Sequence, residues 1–266
     1  MISTKTLRDG AIVAKRNLIK IRRVPELLVF TTLSPIMFIL LFAYVFGSAI
    51  NVPGVGYREF LIPGIFAQTV IFGATITGAG LAEDMQKGII ERFRSLPMSR
   101  NAVLVGRTTS DVLNNVIVIV VMSLTGLVVG WRIHTSVLEA AAAFLILLLF
   151  AYGVSWIMAW VGLLVPSPEV VQQASFIVIF PLTFVANTFV PTNNFPGPLK
   201  AIANWNPVSA VTQAARQLFG NTSAQSPTPR DWSLQHPVIY TLIWVGILLV
   251  VFIPLAGYQY KRAASR

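Results

Sequence analysis

Residues 83–100 read EDMQKGIIERFRSLPMSR, which places seven charged side chains in 18 positions. Glu83, Asp84, Lys87, Glu91, Arg92, Arg94 and Arg100 are spaced for ion pairing rather than for catalysis. Glu83 with Lys87, and Lys87 with Glu91, are i,i+4 neighbours on a helix. Ile89, Phe93 and Leu96 form an apolar stripe at the same spacing, and Pro97 stops the helix. An apolar stripe ringed by charge needs a cover. The residues leave two covers open: the protein's own bundle, or the surface of a second protein.

Few other residues in the chain offer chemistry. There is no cysteine, which excludes a disulfide framework, a thiol nucleophile and thiolate metal sites. His134 and His236 are too few and too distant in sequence for a metal cluster. No Gly-Lys pair occurs, so the chain has no Walker A loop to cradle ATP phosphates. H-E-x-x-H and G-x-S-x-G are missing as well. We expect no catalytic residue, no metal and no cofactor in this chain. The acids nearest the apolar runs, Asp111 and Glu139, fall near the ends of those runs. That argues against a proton-driven carrier and against a cation channel lined by acid rings. The polar residues within the runs are neutral: Gln68, Thr69, Thr75, Thr77, Asn114, Asn115, Gln172, Gln173 and Asn187. Such groups either stitch membrane helices together or face a substrate path.

These groups need elements to hold them, and composition names the kind. Of 266 residues, 55% are hydrophobic and 11% charged, against about 25% charged in a soluble domain. The expectation is an all-α, multi-pass membrane protein forming one domain. A crossing helix takes roughly 20 apolar residues. Six windows qualify, at 27–46, 60–82, 112–130, 140–165, 170–190 and 238–257. Pro35, Pro63, Pro181 and Pro254 lie inside spans, where kinks are expected. The net charge of +10 reads as topology and anionic-lipid contact rather than nucleic-acid binding. Fifteen of the 20 Lys and Arg residues fall on one side, among them those of the N-terminal segment, residues 83–107 and the tail 258–266. By the positive-inside rule both termini are cytoplasmic.

Residues 1–25 lack the apolar core and cleavage site of a signal peptide and read as an amphipathic cytoplasmic helix. Leu7, Ala11, Ala14, Leu18 and Ile21 make its apolar face, with Arg8, Lys15, Arg16, Arg22 and Arg23 mostly opposite. Ile12 and Ile19 break that pattern. The helix either lies in the lipid interface or also touches a cytoplasmic partner. Residues 191–237 form a long external segment with two short apolar sets, suited to helices dipping into the outer leaflet. Within it, Asn221 opens an Asn-Thr-Ser acceptor sequence.

The chain resembles the membrane subunits of ABC-2 type (ATP-binding-cassette) transporters, the daunorubicin-resistance permease branch in particular. The resemblance covers almost the whole chain. It rests on KRNLIKIRRVPELLVFTTLSPIMFILLFAYVFG, YREFLIPGIFAQTV, and DMQKGIIERFRSLPMSR with the following Gly106 and Arg107. FIVIFPLTFVANTFVP, FPGPL and NPVSAVTQAAR, with Arg216, complete the series. It implies a six-helix half-transporter that pairs with a second copy of this chain and with two copies of a separate ATPase subunit, where ATP and Mg reside. It also implies roles. The N-terminal helix, with Arg8, Arg16, Arg22 and Arg23, becomes the connecting helix. Residues 83–101, with Glu83, Asp84, Lys87, Glu91, Arg92, Phe93, Arg94 and Arg100, become the ATPase-coupling region. Residues 191–237 become external re-entrant helices.

Members of such a family export drugs, polyketides or lipids across the bacterial plasma membrane. A path mixing aromatic area with a few polar groups suits an amphiphile. On spans two and five the candidates are Phe66, Gln68, Thr69, Phe72, Phe176, Phe180, Phe184 and Asn187. Two other readings remain open: a stand-alone lipid scramblase or membrane enzyme, and a polysaccharide exporter of the same superfamily.

Overall fold

A computed structural model of the chain describes residues 4–23, 25–47, 49–50, 52–94, 99, 102–165, 167–222 and 231–263. Among the described residues there is no strand. In chain order the helices are α1 (Thr4–Arg23), α2 (Pro25–Leu41), α3 (Tyr57–Gly73), α4 (Thr75–Gln86), α5 (Ile89–Arg94) and α6 (Ala102–Val129). They continue as α7 (Val137–Leu164), α8 (Pro168–Val185), α9 (Gly197–Trp205), α10 (Pro207–Phe219), α11 (Trp232–Gln235) and α12 (Pro237–Ala263). Five helical stretches are long and apolar enough to cross a membrane: Tyr57–Gln86, Ala102–Val129, Val137–Leu164, Pro168–Val185 and Pro237–Ala263. The first of the six expected windows falls on α2 and the π-helical turn Phe42–Phe46 that extends it. Its apolar part among the described residues, Thr32–Phe46, is shorter than a crossing.

Helix α7 is the hub. It packs against α4, α6, α10 and α12, so it needs apolar residues all round rather than on one stripe. Its start is set by a capping box in which Ser136 and Glu139 each satisfy the other's backbone N–H. Helix α8 starts where Ser167 accepts from the Val170 N–H with Pro168 in the first turn. Helix α10 starts the same way, with Asn206 as cap and Pro207 next.

The core is centred on an aromatic knot. Phe66 meets Trp131 edge-on at 5.3 Å, and Phe219 meets Trp131 at 5.2 Å and Phe144 at 4.9 Å. Phe66 has no exposed surface, so the expectation that it faces a substrate path is corrected: it holds α3 to α7 and α10. Helix α10 lies among α3, α7 and α12, with Val208, Val211, Ala215 and Phe219 buried. The Asn221 amide accepts from Trp131 Nε1 at 2.7 Å and donates to the Arg132 carbonyl at 2.9 Å. It is therefore a buried strut and presents no acceptor for a glycan.

Of the apolar face expected for α1, Ala14 is kept and Ala11 is corrected, and the side chains of Leu7, Leu18 and Ile21 lie outside the described residues. Gly10, Val13, Ala14 and Asn17 are buried against α6, while Ala11 is exposed. Size selects this face, not hydropathy. A Cβ at Gly106 would stand 2.6 Å from the Gly10 carbonyl oxygen, so the two backbones cross in near contact. Asn17 then donates to Ser110 Oγ at 3.2 Å. Ile12 and Ile19, at 60% and 42% exposure, lie on the open face with Arg8, Lys15 and Arg16. We predict that Gly106→Leu forces α1 off α6 at a cost of roughly 1–3 kcal/mol. The check is the thermal midpoint of the detergent-solubilised protein, and an unchanged midpoint would contradict the crossing.

Candidate functional site

The charged stretch folds as two helices. Gly88 takes φ 63°, a conformation that ends α4 and that side chains with a Cβ resist. Lys87 and Glu91 therefore sit on different helices. Lys87 instead pairs with Glu83 one turn back, and that hydrogen bond holds the Lys87 ammonium above its ordinary pKa. Asp84 faces Arg16 of α1 at 3.7 Å. Asp9 accepts the Ser99 N–H at 2.8 Å, just before α6 begins. Helices α1, α4, α5 and the start of α6 thus meet at one end of the bundle.

In α5 the inward anchor is Ile90, only 4% exposed and clustered with Leu81, Leu104, Trp156 and Tyr260. Glu91 and Arg92 face outward. Ile90, and not Ile89 of the expected stripe, is thus the residue that the bundle covers here. The side chains of Phe93, Arg94, Arg22 and Arg23, and the whole of Leu96, Pro97 and Arg100, lie outside the described residues.

Behind α5, α6 is keyed to α4. The Arg107 guanidinium lies flat on Gly80, where a Cβ would come within 1.5 Å of Nη2, and donates to the Ile76 carbonyl at 3.2 Å. One turn on, Asp111 accepts from Thr77 Oγ1. The apolar runs of the sequence put Asp111 near a span end. Because α6 begins at Ala102, it is enclosed within that helix's packing instead, at 6% exposure.

Toward the middle of the bundle, α2, α3, α4, α6 and α8 enclose a cavity of 360 Å³. Gln68, Thr69, Phe72, Phe176 and Phe180 all line it. Phe184 lies just beyond, its ring 4.1 Å from Phe180. The stack continues through Phe176–Phe180 at 4.9 Å and Phe72–Phe176 at 6.1 Å. Spacing of four residues along α8 produces this ladder.

Asn187 does not join it. Helix α8 ends at Val185, so the helical period no longer carries residue 187 under Phe180 and Phe184. Its N–H donates to Ser209 Oγ at 3.0 Å, and its carbonyl accepts from Arg216.

Of the neutral polar residues left between stitching helices and facing a path, Thr75, Asn114 and Asn115 line the cavity, and Ser34 joins them unforeseen. Asn115 is 1% exposed, and its Nδ2 has no partner among the described residues. The visible signal is a neutral amide inside an apolar run, which marks the helix but not the face. No lining side chain carries a charge. The site can therefore offer aromatic surface and neutral hydrogen bonds, which suits the apolar or uncharged part of a ligand.

The sequence profile of the ABC-2 type transporter family matches residues 10–219, which take in α1, the α5 end and this cavity. The chain belongs to the ABC-2 type transporter family. Among proteins it is similar to is the daunorubicin resistance ABC transporter permease protein DrrB1 of Streptomyces coeruleorubidus. The two are 36% identical over 208 residues, or 78% of this chain and 74% of that protein. Another is the "Probable doxorubicin resistance ABC transporter permease protein DrrC" of Mycobacterium tuberculosis, 24% identical over 206 residues, or 77% and 70%. The ABC-2 chain is thus a multi-pass membrane permease by family and by its apolar helices.

The keying of α4 to α6 can be tested by a double-mutant cycle. Gly80→Ala should destabilise the protein by displacing Arg107. In an Arg107→Ala background the same change should be nearly silent, giving a coupling of roughly 0.5–3 kcal/mol. Additive effects on the unfolding midpoint would contradict the contact.

Proposed function

We propose that this chain is the membrane-spanning subunit of an ATP-driven exporter in a bacterial plasma membrane. Two copies pair with two separate ATPase subunits and move an amphiphilic drug, polyketide or lipid outward. The observation that carries this reading is the family match over residues 10–219, which spans both the α5 surface and the aromatic cavity. The names of the relatives, which speak of daunorubicin and doxorubicin resistance, favour amphiphilic cargo. Aromatic walls and neutral amides suit such a molecule.

In this reading α1 is the connecting helix and α4–α5 the coupling region. Helices α9 and α10 are the external re-entrant pair, and α2 with its π turn is the first of six spans. The topology has support in the packing. Tyr260 near the end of α12 and Ile90 of α5 share one cluster, and α1 packs on α6, which supports α1 and the end of α12 lying on the α5 side. The excess of Lys and Arg there makes that end cytoplasmic. The chain itself carries no catalytic residue, and ATP and Mg stay with the partner subunit.

The docking edge should be broken by Phe93→Asp, since covering an unpaired carboxylate costs several kcal/mol. The measurement is pull-down of the ATPase together with substrate export. Normal assembly and export would show that α5 serves its own bundle. At the cavity, Phe180→Ala should change which amphiphiles stimulate the assembled complex. Unchanged selectivity in Phe180→Ala, Phe176→Ala and Asn115→Ala would place the path elsewhere. ATP turnover by the permease alone, free of contaminating ATPases, would remove the assignment altogether.

A further inference from the structure

A second cavity, of 1080 Å³, opens at the far end of the α3–α4 pair from α5, between the start of α3 and helices α9 and α10. Arg216 forms part of its lining although only 1% of that residue is exposed. Its guanidinium lies 3.6 Å over the Phe60 ring. Nε donates to the Phe60 carbonyl at 2.7 Å, and Nη2 donates to the Asn187 and Thr188 carbonyls at 2.7 and 3.1 Å. Nη1 has no partner among the described residues. Every acceptor is a neutral carbonyl. A cation enclosed this fully is normally paired with an anion.

Among the described residues of the chain none supplies that anion. Of its ten acids, Asp9, Glu83, Asp84, Glu91 and Asp111 gather toward the α5 end, and Glu26 and Glu169 stand in the first turns of α2 and α8. At the far end, Glu59 is bound to His134 at 2.7 Å and Glu139 to Ser136. Asp231 lines the cavity but accepts from Asn204 Nδ2. Residues 223–230, SAQSPTPR, contain no carboxylate. Lys200 adds a second cation to the lining, and the amides of Asn187 and Gln213 stand 3.4 Å apart beside it.

We propose that this cavity binds an anionic phosphate group, either of a lipid headgroup or free in solution. Arg216 is the buried cation of its lining, and the partly exposed Lys200 the second. Nη1 offers its N–H groups to such an oxyanion as charge-assisted hydrogen bonds. The site is distinct from the uncharged cavity between α2 and α8. It could hold the charged end of a molecule whose apolar part lies in the bundle or the bilayer.

The test uses the full-length permease in a maltoside detergent, which brings no phosphate. Three probes are titrated: short-chain phosphatidylglycerol, the matching diacylglycerol without phosphate, and inorganic phosphate. Affinity and the ligand-induced shift of the thermal midpoint are read together. The proposal expects phosphatidylglycerol to bind and diacylglycerol not to. Lys200→Glu and Arg216→Gln should each weaken binding by roughly tenfold or more, with Arg216→Lys between Gln and wild type. Inorganic phosphate competing at comparable affinity identifies a free-ion site, whereas binding of the lipid alone identifies a headgroup site. Should Arg216→Gln fail to fold, Arg216→Lys and the partly exposed Lys200→Glu carry the test. Equal binding of diacylglycerol, no binding of either phosphate probe, or wild-type affinity in Lys200→Glu and the Arg216 variants would overturn it. No ATPase enters the measurement, so its outcome is independent of whether the exporter assignment holds.

Discussion

Arg216 closes the open end of α8, and much of the rest follows from that closure. A helix end leaves carbonyls without partners, and in apolar surroundings each such group costs several kcal/mol. Here α8 stops at Val185 and the chain turns through buried Ala186, Asn187, Thr188 and Phe189. The guanidinium takes the Asn187 and Thr188 carbonyls, Asn206 Nδ2 takes the Leu182 carbonyl at 2.7 Å, and Ser209 accepts the Asn187 N–H. All three side chains come from α10 or its cap. The short helix thus finishes a long one, and the Phe176–Phe180–Phe184 ladder is held where α10 puts it. The Arg216–Phe60 contact extends the same clamp to α3.

At the opposite end the charges are conspicuous, but they are not what holds the helices together. Arg16 faces Asp84 at 3.7 Å with its side chain 45% exposed, and such a pair contributes about 0–1 kcal/mol. The Glu83–Lys87 pair is more exposed still on its lysine side. The Gly10–Gly106 crossing, the Arg107 guanidinium laid on Gly80 and the burial of Ile90 exclude water and cost far more to disturb. With the packing carried by these contacts, Glu91 and Arg92 stand on the exposed face of α5. Charge at such an exposed edge acts on approach and specificity more than on affinity when a partner covers it.

The long helices are legible in the sequence because uninterrupted hydropathy over 20 or so residues matches the thickness of a bilayer and exceeds what a soluble core helix needs. The charged break and the two short apolar sets that become α9 and α10 are legible for similar local reasons. Which face of a helix meets which neighbour is not legible, because that depends on residues far away in the chain. Phe66 and Phe72 are spaced much like any two aromatics on α3, yet one is sealed against Trp131 and the other lines the cavity. Asn187 leaves the aromatic face because α8 ends two residues before it. The register of α1 is hidden because the deciding residue, Gly10, contributes smallness and not hydrophobicity, which a helical wheel of apolar residues does not score. Asp111 looks peripheral only because the cover of its carboxylate, Thr77, comes from another helix.

The two ends of the molecule are linked by α3 and α4, which run from Tyr57 to Gln86 with a single-residue interruption at Ala74. Ala74 keeps helical dihedrals, φ −64° and ψ −20°, and its N–H still reaches the Val70, Ile71 and Phe72 carbonyls. The joint is therefore a bend in a rod and not a hinge between loose segments. Phe72, Gly73, Thr75 and Ile76 flank it, and all four line the 360 Å³ cavity. Phe60 at one end of this rod lies under Arg216, while Gly80 near the other lies under Arg107. Close-packed contacts of this kind transmit strain, so the two arginine contacts hold the rod near both ends. The cavity sits at the bend, between the two arginines packed near either end of the rod.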